Sequence, residues 1–175
     1  MTAGQAHAGV GRAQGIEWAV EGLTACLDDA AAAGVTLCYE NHTIGYGWTH
    51  VDFSQPADIF LEIVRRTEGS GLMLLFDTAN TLATGDDPLA VLEQVKQRVV
   101  MLHVNDLKRR GEFEPVLLGT GVSPIVEQFR LLVEAGFDGW VSVEEASKTG
   151  EAGFRTAIPY AEAAWIQAGG AARVR

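Results

Sequence analysis

"LMLLFDTAN", residues 72–80, is the stretch on which the fold turns. Leu72 to Phe76 are apolar without interruption, and the run closes on Asp77. A short, continuously apolar run is the pattern of a strand covered on both faces, as in parallel sheets. When such a strand ends on a carboxylate, it must leave the sheet there or give the carboxylate something to bind. An apolar run closed by an ionisable residue occurs three more times, at Val35-Thr-Leu-Cys-Tyr-Glu40, Val99-Val-Met-Leu-His103 and Trp140-Val-Ser-Val-Glu144.

Helix-length segments lie around these four runs, at residues 16–33, 56–68, 88–97, 123–135 and 152–168. In the first, Trp18, Leu23, Cys26 and Leu27 are spaced for one apolar face. Pro56, Pro88 and Pro124 are expected at first helical positions, where a missing N–H costs nothing. Gly34, Gly69 and Gly136 are expected to close helices in the left-handed conformation. The order is then α-β-α-β-α-β-α-β-α. A repeat of roughly 35 residues per unit suits βα crossovers and a parallel α/β sheet.

Alternation within strands sorts the residues onto two faces. Val35, Leu37, Tyr39, Leu72, Leu74, Phe76, Val100, Leu102, Val104, Val141 and Val143 share one face, bulky throughout, which should pack on helices. The opposite face carries Thr36, Cys38, Met73, Leu75, Val99, Met101, Trp140 and Ser142. It ends on Glu40, Asp77, His103 and Glu144, and parity selects Glu144 over Glu145. In a parallel barrel the C-terminal strand ends converge on one mouth, where active sites sit. Three carboxylates crowded there repel and raise one another's pKa values. A divalent cation resolves the conflict, and one imidazole with three carboxylates suits Mn²⁺, Mg²⁺, Co²⁺ or Zn²⁺.

Composition bounds the rest. The chain has 175 residues, 47% of them hydrophobic, enough for one core over residues 15–170. A net charge of −10 argues against a nucleic-acid partner. No apolar run approaches the roughly 20 residues of a membrane span. Residues 1–14, rich in Gly and Ala, read as a mobile arm and lack the apolar centre of a signal peptide. Cys26 and Cys38 read as buried, reduced thiols, which fits a cytoplasmic location.

The runs "YENH", "FDTAN", "LHVND" and "GWVSVEE", with "LLGTGVSP" between the last two, resemble the second half of the xylose isomerase-like (sugar phosphate isomerase/epimerase) TIM-barrel family. The resemblance covers residues 16–165 and implies strands five to eight of a (β/α) barrel, here a half barrel. It places the metal ligands on Glu40, Asp77, His103 and Glu144. It implies a carbohydrate substrate and proton transfer through a cis-enediolate, with Glu40 and Glu144 as the proton-transferring pair. Epimerisation, aldose–ketose isomerisation and inosose dehydratase-type chemistry would all use these ligands. A remnant that binds metal or sugar without turnover is the rival reading. An endonuclease of the same fold needs several more histidines than the four present.

Further substrate-contact candidates surround the mouth. Asn80 lies three residues after Asp77, His42 two after Glu40, and Asp106 three after His103. Trp48 sits in the loop after the first strand. Lys108, with Arg109 and Arg110, forms a basic cluster suited to a phosphate. The Gly119-Thr-Gly121 turn can offer backbone N–H groups to an anion. Four strands leave two bare edges, an aggregation liability. The expectations for covering them are a longer enzyme of which this is part, two copies paired as a homodimer about a twofold axis, or a helix over the opening.

Overall fold

A computed structural model describes residues 1–172 of the chain. The sheet has four parallel strands in the order β1 (Cys38–Glu40), β2 (Met73–Asp77), β3 (Val99–Val104) and β4 (Trp140–Val143). Around it run α1 (Arg12–Thr24), α2 (Leu27–Ala32), α3 (Ala57–Arg66), α4 (Asn80–Ala83), α5 (Pro88–Val95), α6 (Ile125–Glu134) and α7 (Glu151–Gln167). This is the expected half of a (β/α) barrel. α1, α3, α5, α6 and α7 form a continuous outer layer, each packed on the next.

The face assignment holds through the strand centres and ends but fails at two strand starts. Val35 precedes β1 and is exposed, and Val99 rather than Val100 joins the helix-side core, beside a register shift between Leu74 and Leu75. Tyr39, Leu74, Phe76, Leu102 and Val104 are fully buried and meet Phe60, Ile63, Leu92, Phe129 and Leu132 from the helices. The register sets the strand ends in a stagger. Glu40 stands opposite Leu75, Asp77 opposite His103, and His103 opposite Ser142. Asp77 therefore projects two residues beyond Glu40, and Glu144 two beyond Ser142, so parity is kept. Glu144 lies just past β4 and donates its N–H to the Val104 carbonyl at 3.0 Å, which continues the ladder.

Helix ends follow local chemistry. Pro88 is the first residue of α5, and Asp87 caps it by accepting from the Leu89 and Ala90 N–H groups. Pro56 and Pro124 stand one residue earlier than expected, as the caps themselves. Gly34, Gly69 and Gly136 have φ of 69°, 75° and 75°, the left-handed closures foreseen.

Four expectations need correction. The helix over residues 16–33 begins earlier, at Arg12, and breaks at Ala25 and Cys26 into α1 and α2. α1 buries Gly15, Ile16, Ala19 and Leu23, while Trp18 faces outward. Gly15 lies directly against the Phe53 ring, where a Cβ would clash. Cys26 is exposed at the break and Cys38 is half-buried, so the thiols are not both core residues.

The arm is not detached either. The Met1 amino group donates to the Cys38 carbonyl (2.6 Å), and the Met1 carbonyl accepts from the Glu40 N–H (2.9 Å). Bonding to residues on either side of Tyr39 is the pattern of a parallel ladder. Gly4 and Ala6 pair with Phe53 and Val51. Among the described residues no helix is long and apolar enough to cross a membrane.

Candidate metal centre

Each ligand-type side chain is positioned by the strand it ends. Glu40, Asp77, His103 and Glu144 each offer one ligand atom, and these atoms all lie within 4.8 Å of one another. Asp77 is fully buried. Its Oδ1 accepts from the Ala79 and Asn80 N–H groups, both at 2.7 Å. Its Oδ2 has no hydrogen-bond partner. His103 Nδ1 also lacks one, standing 3.4 Å from both Glu40 Oε1 and Glu144 Oε2. These contacts are too long to be good hydrogen bonds.

The electrostatics match the crowding. Burial, reinforced by the charges of Glu144 and Glu40, pushes Asp77 up to about 8. Glu144 and then Glu40 push His103 up to about 10. His103 in turn holds Glu144 below the usual carboxylate range. A buried carboxylate oxygen and a buried imidazole nitrogen, both without partners, lie among further carboxylates. A divalent cation is the species that satisfies all of them together. The donor set of three carboxylate oxygens and one nitrogen fits the hard to borderline cations expected.

A pH dependence follows for protein kept in chelator. The folded state binds the Asp77 proton more tightly than the unfolded chain does, so this contribution to stability declines as pH rises from 3.8 to about 8. The His103 contribution is complete below 6.5 and lost as pH rises through about 10. Both act between pH 6.5 and 8, so the thermal midpoint should fall most steeply there. Cation affinity should rise over the same interval, because binding requires both protons to leave. Melting curves at pH 6.5 and 8, with chelator and with Mn²⁺, check both signs. A chelated midpoint flat across this interval contradicts the crowding.

Around the four ligands, buried amides fix the strand ends. The Asn41 side chain accepts from the Asp77 N–H (2.7 Å) and donates to the Asp77 carbonyl (3.0 Å) and to Thr81 Oγ1 (3.1 Å). Thr78 Oγ1 donates to the Asn105 carbonyl (2.7 Å) and accepts from the Asn105 N–H (2.9 Å). Gln128 donates to the Thr78 carbonyl. Sequence reasoning gave Asn41 no role, although its place directly after a strand-ending glutamate was a usable signal.

The remaining candidates divide. His42 sits beside the cluster and feels the charges of Glu40 and Asp77. Its Nδ1 is 3.5 Å from Asp52 Oδ2, and the Trp48 ring meets it edge-on at 5.3 Å. Asn80 is buried, with its Oδ1 taking the Thr43 hydroxyl at 2.8 Å.

Asp106 turns away into its own loop. Its Oδ2 accepts from Gly119 (3.0 Å) and Gly121 (2.8 Å), and its Oδ1 from Ser123 (3.0 Å). The backbone N–H groups that the sequence suggested for an external anion are therefore occupied by Asp106. Lys108 pairs with Glu114 at 2.6 Å, Arg109 pairs with Glu114 and Glu112, and Arg110 donates to the Gly85 carbonyl. The basic cluster is thus largely engaged within its own loop.

The family described as xylose isomerase-like TIM barrel matches residues 1–167. An inosose dehydratase of Lacticaseibacillus casei is 24% identical over 139 residues, 70% of this chain and 44% of that protein. One from Geobacillus kaustophilus is 27% identical over 73% of this chain and 45% of its own length. The chain thus spans about half the length of the curated relatives it matches. A crystal structure of an IolI protein with a binding zinc atom superposes with a TM-score of 0.75 at 21% identity. That alignment covers 93% of this chain and 60% of the other. An L-ribulose 3-epimerase gives a TM-score of 0.71 at 17% identity, covering 94% and 58%. At these identities the structures show a common fold.

Proposed function

The chain belongs to the xylose isomerase-like TIM barrel family, and on that premise we propose that its four-ligand mouth is a metal-dependent centre for proton transfer on a sugar or sugar phosphate. The observation that carries this reading is the convergence of four ligand atoms within 4.8 Å from four successive strand ends. Glu40, Asp77, His103 and Glu144 would hold one divalent cation. When bound, the cation supplies charge stabilisation for a carbonyl oxygen while the neighbouring carbon loses its proton.

The chain's own groups divide the remaining work. Asp77 is the fixed anchor: it is fully buried, and two N–H bonds lock one of its oxygens. Glu144 is half-exposed and its ionised form is favoured by His103, so its carboxylate suits the proton acceptor. Glu40, on the opposite side of His103, is placed to return a proton to carbon. His42 and Trp48 form a wall beside the mouth, suited to a hydroxyl and an apolar sugar face.

The test is deuterium exchange into a panel of ketoses in D₂O with added Mn²⁺, followed by the loss of the C3–H resonance. Exchange that disappears with chelator and in Glu144→Gln is the expected result. Metal binding without exchange across the panel identifies a binding half barrel instead. The named relatives support a second reading, inosose dehydration, in which the same carboxylates remove a proton and assist a departing hydroxyl. Loss of water from an inosose, followed by mass, separates it from epimerisation.

A further inference from the structure

Outside the four ligands, two buried polar atoms without hydrogen-bond partners face each other: His42 Nδ1 and Asp52 Oδ2, 3.5 Å apart. Asp52 is fully buried and comes from the loop that joins β1 to α3. Proton transfer at the four ligands gives it no work. A carboxylate taken wholly out of water is costly unless both oxygens are satisfied. Here one is: Oδ1 accepts from the Ser54 N–H at 2.7 Å and from the Ser54 hydroxyl at 2.6 Å. Those two bonds are enough to shape the turn. Oδ2 is left to the imidazole.

The loop holds Asp52 in this place. Its own N–H donates to the Thr43 carbonyl at 2.8 Å. On either side, the Val51 carbonyl accepts from the Ala6 N–H (2.9 Å) and the Phe53 N–H donates to the Gly4 carbonyl (2.8 Å). The ring it faces is held as well. Trp48 meets His42 edge-on, and a Cβ at Gly45 would stand 2.8 Å from the Trp48 indole. At 3.5 Å the His42–Asp52 pair is too long for a good hydrogen bond, and a shift of roughly 0.5 Å makes it one. Such contacts commonly tighten when a ligand fills the site.

An ionised carboxylate only accepts, so the proton between the two atoms belongs to Nδ1. The bond made by one ring nitrogen decides what the other offers. In the neutral ring Nε2 then carries the lone pair. Nδ1 is the buried nitrogen, while the side chain as a whole keeps 17% of its surface open.

We propose that Asp52 is a positioning residue: it holds His42 with the proton on Nδ1 and so presents Nε2 to the mouth as an acceptor for a substrate hydroxyl. Asp52 acts through His42 alone. The tautomer is a property of the chain, whereas its use rests on the reading of the mouth as a sugar site. The two can therefore fail separately.

The tautomer is read from two-bond ¹H–¹⁵N spectra of histidine-labelled protein, recorded in chelator and again with Zn²⁺, at a pH where the ring is neutral. His42 is assigned by its loss in His42→Gln. Wild type is expected to carry the proton on Nδ1, the minor form of a histidine free in water. Asp52→Asn is the informative variant. The Ser54 N–H can only donate, so it keeps the amide oxygen on its side and turns the NH₂ toward Nδ1. The proton should then move to Nε2, as when the carboxylate of a histidine–aspartate pair becomes an amide. In the ketose exchange assay this variant should raise KM about tenfold and change kcat by less than about twofold, the sign of lost binding. Adding Asp52→Asn to His42→Gln should raise KM no further.

Three results overturn the proposal. One is a wild-type His42 with its proton on Nε2, a result that does not depend on any Asp52 variant folding. Another is an Asp52→Asn protein whose His42 tautomer is unchanged. The last is a further rise in KM when Asp52→Asn is added to His42→Gln, since Asp52 then braces the loop and not the ring. A wild type with the proton on Nδ1 that exchanges no ketose overturns the sugar reading, and with it the use of Nε2, while the Asp52–His42 pairing stands.

Discussion

Replacing Asp77 by asparagine is expected to raise the melting temperature of the metal-free protein and to abolish its response to divalent metal. The introduced amide would keep an oxygen where Oδ1 now accepts from Ala79 and Asn80. It would remove an ionisable group that burial and two neighbouring carboxylates push up to about 8. Relief of that penalty should stabilise the metal-free fold by roughly 1–3 kcal/mol at neutral pH. The wild-type protein should gain about 2.7 kcal/mol from a cation present at about a hundred times its dissociation constant. For a chain of this size that corresponds to a shift of roughly 5–10 °C. Adding Mn²⁺ should therefore close the gap between the variant and wild type or reverse it, as read by calorimetry. Asp77→Ala should be less stable than wild type in both conditions, because it also loses the two bonds that start α4. A metal-free Asp77→Asn no more stable than Asp77→Ala would show that the carboxylates do not crowd.

Asp106→Ala should produce the reverse pattern: a large loss of stability with the metal response intact. The Asp106 carboxylate gathers three backbone N–H groups across residues 119–123. Removing it strands these donors in a part-buried loop, at about 1–3 kcal/mol each and less than additively. A total near 3–5 kcal/mol is expected, in the range of other disrupted buried networks. The loop cannot easily re-form around a new side chain. A Cβ at Gly121 would stand 2.2 Å from the Leu107 carbonyl oxygen and 2.3 Å from Asp106 Oδ1. The increment in melting temperature on adding Mn²⁺ should equal that of wild type, since Asp106 touches none of the four ligands. A diminished increment would place Asp106 in the metal centre after all.

The parts legible in the sequence were those governed by short periods. Alternation along four apolar runs placed Tyr39, Leu74, Phe76 and Leu102 toward the helices and the four ligand-type ends on the other face. That alternation survives the stagger because each offset is an even number of residues. Loop chemistry was not legible, since it depends on which backbone groups happen to be near. Asp106 and Lys108 have residue types that suit a substrate, yet their partners are Gly119, Gly121, Ser123 and Glu114. Asn41 and Thr78 were passed over because a polar residue after a strand marks a bond to be made without naming the backbone group it will hold. Trp18 suited a helical apolar face, but α1 turns Gly15, Ile16, Ala19 and Leu23 inward and leaves the indole in solvent. The Gly/Ala composition of the first residues suggested mobility. Their backbone bonds to β1 and to residues 51–53 do not depend on side chains.

The all-parallel sheet has a kinetic consequence. Not one ladder can be nucleated by a hairpin. Asp77 must find His103 across 26 residues, Cys38 must find Met73 across 35, and Met101 must find Trp140 across 39. The entropy of closing such loops differs by only about 0.4 kcal/mol between the shortest and the longest. Chain order alone therefore gives no strand pair a decisive start. Refolding from denaturant should be slow for a chain this short and limited by long-range search. While the search lasts, the strand segments offer unpaired backbone to other molecules. Recovered yield should accordingly depend on dilution more than on temperature.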